Sequence, residues 1–69
     1  MKRVQIHNGD LVSVGYNAEL QVLEVELSGH NVFQFVRVSE AVYVALMNAP
    51  QQYEYFKANI QEKYLVQKI

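Results

Sequence analysis

The side chains that could serve as bases or metal ligands are few and lie far apart in the sequence. His7 and His30 both fall in predicted turns, and neither has a second histidine, a cysteine or a carboxylate at a convincing metal-ligand spacing. Asp10 could pair with His7 across the first turn, but turn formation or capping accounts for this carboxylate better. We therefore expect no metal site.

The possible nucleophiles and phosphate-binding glycines are equally dispersed. Ser13, Ser28 and Ser39 do not lie in a strand-turn-helix elbow, and the sequence places neither histidine as their base. No two of the three glycines share a short run ahead of a helix, so a phosphate-binding loop is not indicated. The sequence predicts a protein that is not an enzyme and that needs no cofactor.

Composition limits the class of protein further. The chain has 69 residues, no cysteine and a net charge of -1, so disulfides, a structural zinc site and strong bulk attraction to nucleic acid are not expected. The longest apolar run is only a few residues, which predicts neither a membrane span nor a secretory signal and favours a cytoplasmic protein. Residues 36–69 hold four basic and three acidic side chains, whereas residues 1–35 hold two basic and four acidic ones, so the C-terminal half is mildly basic.

Alternating apolar residues predict three strands joined by short turns. Residues 7–10, His-Asn-Gly-Asp, form a turn cluster ahead of the first full strand at residues 11–16. The second strand alternates apolar residues with Glu24 and Glu26, and the third lies in residues 31–38. Short strands with such short connections are typical of an antiparallel meander.

Two helices are predicted to follow the strands. Ser39 is a suitable N-cap for a first helix that runs to about Asn48. Pro50 ends that helix and can occupy the first turn of a second one. The apolar stripes of the two helices are Val42, Ala45, Leu46 and Ala49, and Tyr53, Phe56, Ile60 and Tyr64. The predicted fold is a single α+β domain over residues 1–69, a three-stranded antiparallel β-meander followed by two C-terminal helices packed on one face (β-β-β-α-α).

The turn between the second and third strands decides which way Phe33 and Phe35 point. A two-residue turn would place both rings on the outer face of the sheet, where they could stack on unpaired bases. A three-residue turn at residues 28–30 would place both rings in the core and Gln34 in water. We favour the second register because it buries two aromatic rings and exposes the polar side chains together.

Two tyrosines fit poorly into the core stripes of their predicted helices. Tyr55 points about 200° away from Tyr53 around the second helix. Tyr43 lies off the apolar stripe of the first helix in the same way. Both are therefore expected at an edge or on the surface, where they are candidate contact residues.

Several dispersed positions together resemble a known family. The pattern comprises Gly15-Tyr16-Asn17, the alternation Leu23, Val25 and Leu27, the stretch Val32-Phe33-Gln34-Phe35, the helical positions Val42-Tyr43, Leu46 and Ala49, and the set Tyr55-Phe56, Ile60 and Tyr64. Over about residues 9 to 66 this pattern resembles the KTSC domain family. That family is named for the C-terminal domain of some lysyl-tRNA synthetases and also occurs as stand-alone small bacterial and phage proteins.

The resemblance implies a domain of unknown activity, for which the synthetase association suggests RNA binding. The family's central Tyr-x-Tyr motif falls on Phe33-Gln34-Phe35, which has no phenolic hydroxyl, so the motif could stack or pack but could not donate a hydrogen bond. The family pattern also places Pro after the valine at 38, and Ser and Gly after the proline at 50. This chain has Ser39, Gln51 and Tyr53 at those positions.

These observations lead to two functional hypotheses. The first is a non-catalytic binding module that contacts RNA or a translation-associated protein and has no membrane partner. Its candidate contact residues are Phe33, Phe35, Arg37, Tyr43, Tyr55, Lys57 and Lys63. The alternative is a protein-interaction or self-association module, for example a weak homodimer, because the outer sheet face would carry apolar side chains among charges.

Overall fold

The chain folds into a five-stranded antiparallel sheet and two short helices. The computed structural model describes residues 2–69. The elements in chain order are β1 (Val4–Asn8), β2 (Leu11–Asn17), β3 (Val22–Leu27), β4 (Asn31–Phe35), α1 (Glu40–Asn48), α2 (Gln52–Asn59) and β5 (Val66–Lys68). The strands lie in the sheet in the order β1-β2-β3-β4-β5. Within residues 2–69, neither helix is long and apolar enough to cross a membrane.

The α+β class with two helices and an antiparallel meander is confirmed, but the predicted β-β-β-α-α order is wrong. Four strands precede the helices and one follows them. The sequence pattern missed β1 because its register with β2 shifts between Gln5 and Asn8, where His7 has a φ of 55° and interrupts the alternation. The pattern missed β5 because all three of its residues are exposed at the edge of the sheet.

The first helix, α1, has the predicted bounds. Ser39 precedes it, and the carbonyl oxygen of Ser39 accepts hydrogen bonds from the N–H groups of Val42 and Tyr43. The Ser39 side chain makes no capping hydrogen bond. Leu46 is buried as predicted, whereas Ala45 is exposed. The predicted stripe is wrong at that position because the helix is turned so that Tyr43 packs against the core.

The second helix, α2, is shorter than its apolar stripe predicts. It begins two residues after Pro50, which therefore lies ahead of the helix and not in its first turn. Its end is closed by a hydrogen bond from the N–H of Gln61 to the carbonyl oxygen of Phe56. Tyr64 lies beyond the helix, in the connection to β5. This early end lets the chain turn back and add β5 to the sheet.

The register of β3 and β4 places Phe33 and Phe35 on the same face as the core, as the favoured register predicts. Phe35 lies opposite Leu23, and Phe33 lies opposite Val25. The connecting turn has three residues, 28–30, and φ values of 86° and 64° at its last two positions. The alternative register, with a two-residue turn and an aromatic outer face, is wrong.

The core lies between this face of the sheet and the helices. Among residues 2–69, its buried apolar side chains are Leu11, Val14, Leu23, Val25, Phe35, Val38, Leu46, Phe56 and Ile60. The Phe35 ring from the sheet meets the Phe56 ring from α2 edge-on, with centroids 5.6 Å apart. We name this side of the sheet the core face and the opposite side the outer face.

The outer face carries a polar network. The predicted exposure of these polar side chains is wrong for Glu24, which is only 7% exposed, and for Gln34, which is half-buried, because Glu24 accepts hydrogen bonds from Gln34, at 2.9 Å, and from Arg3. Arg3 also donates from Nε to Ser13 Oγ at 2.9 Å, and Ser13 donates to Glu26 Oε1 at 2.9 Å. Every buried side-chain nitrogen and oxygen atom in the described residues has a hydrogen-bond partner. The network links the segment before β1 to three strands of the sheet.

Gly15 gives Arg3 its route across β2. Val4 pairs with Val14, so the preceding residue, Arg3, comes beside Gly15, and Gly15 in turn pairs with Glu24. Because glycine has no side chain, the backbone of β2 leaves space for the guanidinium to pass over it. The side chain can therefore reach the carboxylate two strands away.

The buried carboxylate of Glu24 has a shifted pKa. Burial by itself raises this pKa, but the hydrogen bonds from Gln34 and Arg3, together with the positive charge of Arg3, lower it more. The pKa of Glu24 therefore lies below its ordinary value of 4.5. The folded state is accordingly stabilised by keeping this group ionised.

We expect Glu24→Gln to reduce the acid sensitivity of the fold. The stabilisation from Glu24 is complete above its ordinary pKa of 4.5 and is lost as the pH falls through the lower pKa of the folded state. Urea unfolding at a series of pH values should therefore show a shallower decline in unfolding free energy below pH 4.5 for the variant. The matched control is Glu19→Gln, at an exposed position. An equal flattening in both variants would contradict the assignment.

Candidate binding groove

The two phenylalanines of the predicted contact set face the core side of the sheet. Phe35 is only 2% exposed and is held by the edge-on contact with Phe56. Phe33 is half-buried on the same face. Stacking of unpaired bases on an open aromatic outer face is therefore not available to this protein. Phe33 alone of the two has appreciable surface to offer a ligand.

The two tyrosines of the set, predicted at an edge or on the surface, are half-buried against the core. Tyr55 packs against the core cluster, and so does Tyr43. The Tyr43 ring stacks on Tyr16 with centroids 4.9 Å apart and 10° between the planes. The Tyr16 hydroxyl donates to the carbonyl oxygen of Val38 at 2.5 Å, and burial, followed by the negative charge of Glu40, raises the pKa of Tyr16. This aromatic pair fastens α1 to β2.

The three basic residues of the set lie at separate places. The Lys57 ammonium lies 3.3 Å from the Glu54 carboxylate and 4.5 Å from the centre of the Tyr53 ring. Arg37 is exposed between β4 and α1, with a φ of 60°. Lys63 is exposed between α2 and β5. These three predicted contact residues thus do not form one basic patch, because one lies on a helix and the other two lie in different connecting segments.

Beyond the end of α2, the core face remains partly open. An apolar pocket of about 170 Å³ lies there between the sheet and the helix. It is lined by Leu27, Phe33, Phe35, Phe56, Gln61 and Val66. An apolar cavity of roughly 150 Å³ is large enough to hold a benzene molecule, so this pocket can receive a side chain of similar size.

A second, more polar pocket of about 220 Å³ adjoins the apolar one. It is lined by Asp10, Leu27, Ser28, Asn31, Phe33 and Tyr53. Leu27 and Phe33 line both pockets and form their common wall. We refer to the apolar pocket and the polar pocket together as the groove.

The Asp10 carboxylate is held in the polar pocket by two hydroxyls. Its Oδ1 accepts a hydrogen bond from Ser28 Oγ at 3.1 Å, and its Oδ2 accepts one from the Tyr53 hydroxyl at 3.3 Å. The backbone N–H of Ser28 also donates to the Asp10 carbonyl oxygen at 2.9 Å. Among residues 2–69, the ion pairs involve other carboxylates, so Asp10 has no cationic partner within 4.0 Å.

The turn between β1 and β2 is fastened to the start of α2. Asn8 Oδ1 accepts a hydrogen bond from the backbone N–H of Tyr53 at 3.0 Å. Gly9 has a φ of 56°, and a Cβ at this position would lie 2.6 Å from Cδ2 of Tyr53. The close approach fixes Tyr53 and Asp10 relative to each other, which sets the shape of the polar pocket.

Sequence reasoning missed the polar end of the groove. It assigned Asp10 to a turn and Tyr53 to a helical core stripe, and no spacing rule joins positions 43 residues apart. The Asn-Gly-Asp cluster at residues 8–10 was the available signal, because such a cluster fixes a tight turn on which a helix can dock. In the part of the chain that is described, no group of three or more histidine, cysteine and acidic side chains could hold a metal ion.

We expect Gly9→Ala to destabilise the fold by about 1–3 kcal/mol, because alanine would be strained at the positive φ and its Cβ would collide with the Tyr53 ring. The collision with the ring should be relieved in the background of Tyr53→Ala, whereas the 3.1 Å contact with Cβ of residue 53 and the backbone strain should remain. A double-mutant cycle measured by urea unfolding should therefore give a coupling energy of about 0.5 kcal/mol or more. Additive effects would show that Tyr53 does not sit against Gly9.

The fold and sequence match known proteins over most of the chain. The KTSC domain family model matches residues 7–64. An uncharacterized protein of Stutzerimonas stutzeri (strain A1501) is 35% identical over 69 residues, an alignment that covers 83% of this chain and 97% of that protein. The crystal structure of a KTSC domain protein from Yersinia pestis is similar with a TM-score of 0.94 and 25% identity, covering 99% of this chain and 96% of that one. The resemblance noted in the sequence is thus confirmed, and the chain belongs to the KTSC domain family.

Proposed function

We propose that this protein is a non-catalytic module that binds a segment of a partner protein in the groove. The observation that carries the proposal is the incomplete cover of the core face at Leu27 and Phe33. Both side chains are half-buried, and each lines two adjoining pockets. Concave apolar surface with a few polar groups beside it is the usual character of a binding site.

The polar groups beside the groove support binding without catalysis. Ser28 and Tyr53 both donate their hydroxyl hydrogens to the Asp10 carboxylate. The imidazole of His30 lies 3.8 Å from the Glu26 carboxylate, in a separate pair. A nucleophile needs a base within hydrogen-bond reach and a group that orients that base. These contacts instead describe a network that holds a turn in place.

The charges on both faces favour a protein segment over RNA. The outer face carries two carboxylates, Glu24 and Glu26, which share one cationic partner, Arg3, and the groove ends at the carboxylate of Asp10. Negative charges at these positions would repel the phosphate backbone that supplies most of the affinity in RNA complexes. RNA binding, which the family resemblance suggests, is therefore the competing outcome of the test.

The sheet edges favour a foreign partner over a second copy of the chain. The register of β1 is interrupted by a shift, and β5 is only three residues long and ends with Lys68. Short, bulged or lysine-bearing edges are features that oppose edge-to-edge pairing of sheets. Self-association into a weak homodimer, which the sequence also suggested, is therefore the less favoured form of the protein-interaction hypothesis.

The proposal is tested by selecting ligands and mapping where they bind. A random peptide library is panned on the wild-type chain, and enriched peptides are titrated into the isotope-labelled protein while amide shifts are followed. We expect saturable shifts at Leu27, Asn31, Phe33 and Gln61. Phe33→Ala should weaken binding about tenfold or more, since it removes the common wall of the groove. The matched control is Val32→Ala, which changes the neighbouring residue on the outer face and should leave the affinity unchanged.

Two parallel measurements identify the competing outcomes. Structured RNA is titrated at low salt, where electrostatic affinity is greatest. Light scattering is recorded over a series of protein concentrations. We expect no amide shifts with RNA and the mass of one chain throughout. Shifts with RNA together with none from any selected peptide would overturn the proposal in favour of RNA, and a dimer mass with the groove amides shifting on dilution would overturn it in favour of self-association.

A further inference from the structure

We infer that the groove recognises an extended protein segment that carries a bulky apolar side chain and, two residues away, a lysine or an arginine. The inference rests on the proposed function and adds to it the chemistry of the segment. Three features carry it: the phenyl walls of the apolar pocket, the hydrogen-bond acceptors of the polar pocket, and the wall that the two pockets share.

The apolar pocket selects a large side chain, preferably an aromatic one. Phe33, Phe35 and Phe56 supply three phenyl rings to its lining. Two of them are already arranged edge to face, with 81° between the planes of Phe35 and Phe56. A further ring in the pocket would pack on the half-buried ring of Phe33, because Phe35 and Phe56 have almost no exposed surface.

The polar pocket presents hydrogen-bond acceptors to its interior. Ser28 and Tyr53 direct their hydroxyl hydrogens to Asp10, so each hydroxyl oxygen has only acceptor lone pairs left. The Asn31 side chain donates one Nδ2 hydrogen to the carbonyl oxygen of Ser28 at 3.1 Å, which leaves its Oδ1 as an acceptor and its second Nδ2 hydrogen as a donor, so the acceptors outnumber the donors. The ligand group that suits such a pocket is a donor.

The negative charge of Asp10 favours a ligand donor that is also a cation. Asp10 has no cationic partner among residues 2–69, so a bound ammonium or guanidinium would add the missing opposite charge. A carboxylate or phosphate in the same place would meet the like charge of Asp10. The polar pocket therefore discriminates against acidic segments as well as against nucleic acid.

The shared wall sets the spacing between the two ligand side chains. Leu27 and Phe33 line both pockets, so we place the two ligand side chains in adjoining sites on either side of these residues. In an extended segment, residues i and i+2 point to the same side and lie roughly 7 Å apart. This spacing matches two adjoining pockets, and the intervening residue points away from the protein.

The test uses blocked heptapeptides, acetylated at the N-terminus and amidated at the C-terminus so that their cation is a side chain. One peptide has phenylalanine, serine and lysine at its centre, flanked by glycine and serine; in others the lysine becomes glutamine or glutamate, or the phenylalanine becomes alanine. Affinities are measured by amide shifts at Asp10, Leu27 and Phe33. We expect about three- to fivefold weaker binding when lysine becomes glutamine, as for an exposed ion pair, weaker binding still with glutamate, and at least about tenfold weaker binding without the phenyl ring.

A charge-matched pair of variants assigns the cation to its site. Asp10→Asn should weaken binding of the lysine peptide about three- to fivefold and leave the glutamine peptide unchanged, while Glu19→Gln, in the turn at the other end of β2, should change neither. The amide spectrum of each variant verifies its fold. A loss of the difference between lysine and glutamine peptides in high salt supplies a second measurement that needs no substitution.

The failures of the two proposals are distinguishable. If library-selected peptides bind the groove but Asp10→Asn affects lysine and glutamine peptides equally, or the glutamate peptide binds best, the inferred chemistry is overturned and the proposed function stands. If no peptide from either source shifts the groove amides, the proposed function is overturned and the inference falls with it.

Discussion

The pairing of β3 with β4 is the constraint on which the rest of this structure depends. A three-residue turn sets the register. A shift of one residue would move the side chains of the shifted strand to the opposite face of the sheet. As paired, the strands send Phe33 and Phe35 toward the helices and Gln34 toward Glu24. One register thus determines both an aromatic core and a polar outer face, and it puts neither Phe33 nor Phe35 on the outer face.

The two faces of the sheet then differ in what covers them. The outer face is closed by a network in which the guanidinium of Arg3 crosses β2 beside Gly15 to reach a buried glutamate, and this network joins the edge segment to the centre of the sheet. The core face is filled by the helices except beyond the end of α2. Because that helix stops early and the chain returns as β5, Phe33 keeps part of its ring in solvent. The groove is thus a result of where a helix ends.

Much of this arrangement could be predicted because it follows from local rules. The position of Ser39 before α1, the alternation in β2 and β3, and the preference for burying both rings are each read from a few neighbouring residues. The edge strands could not be predicted, since β1 contains a register shift and β5 has no buried residue. The groove could not be predicted either, because Asp10 and Tyr53 meet only through the docking of a turn on a helix. The seven predicted contact residues share only aromatic or basic character. In the structure the four aromatic ones are buried or half-buried, and the three basic ones are exposed at separate places.

The central claim is that both phenyl rings lie on the core face and that, of the two, only Phe33 keeps appreciable exposed surface in the groove. The most direct measurement is fluorine NMR of chains with 4-fluorophenylalanine at position 33 or position 35, in the presence of a soluble paramagnetic reagent. We predict clear relaxation enhancement at position 33 and strong protection at position 35, in keeping with the 2% exposure of Phe35. Strong relaxation at both positions would place the rings on the outer face and contradict the account.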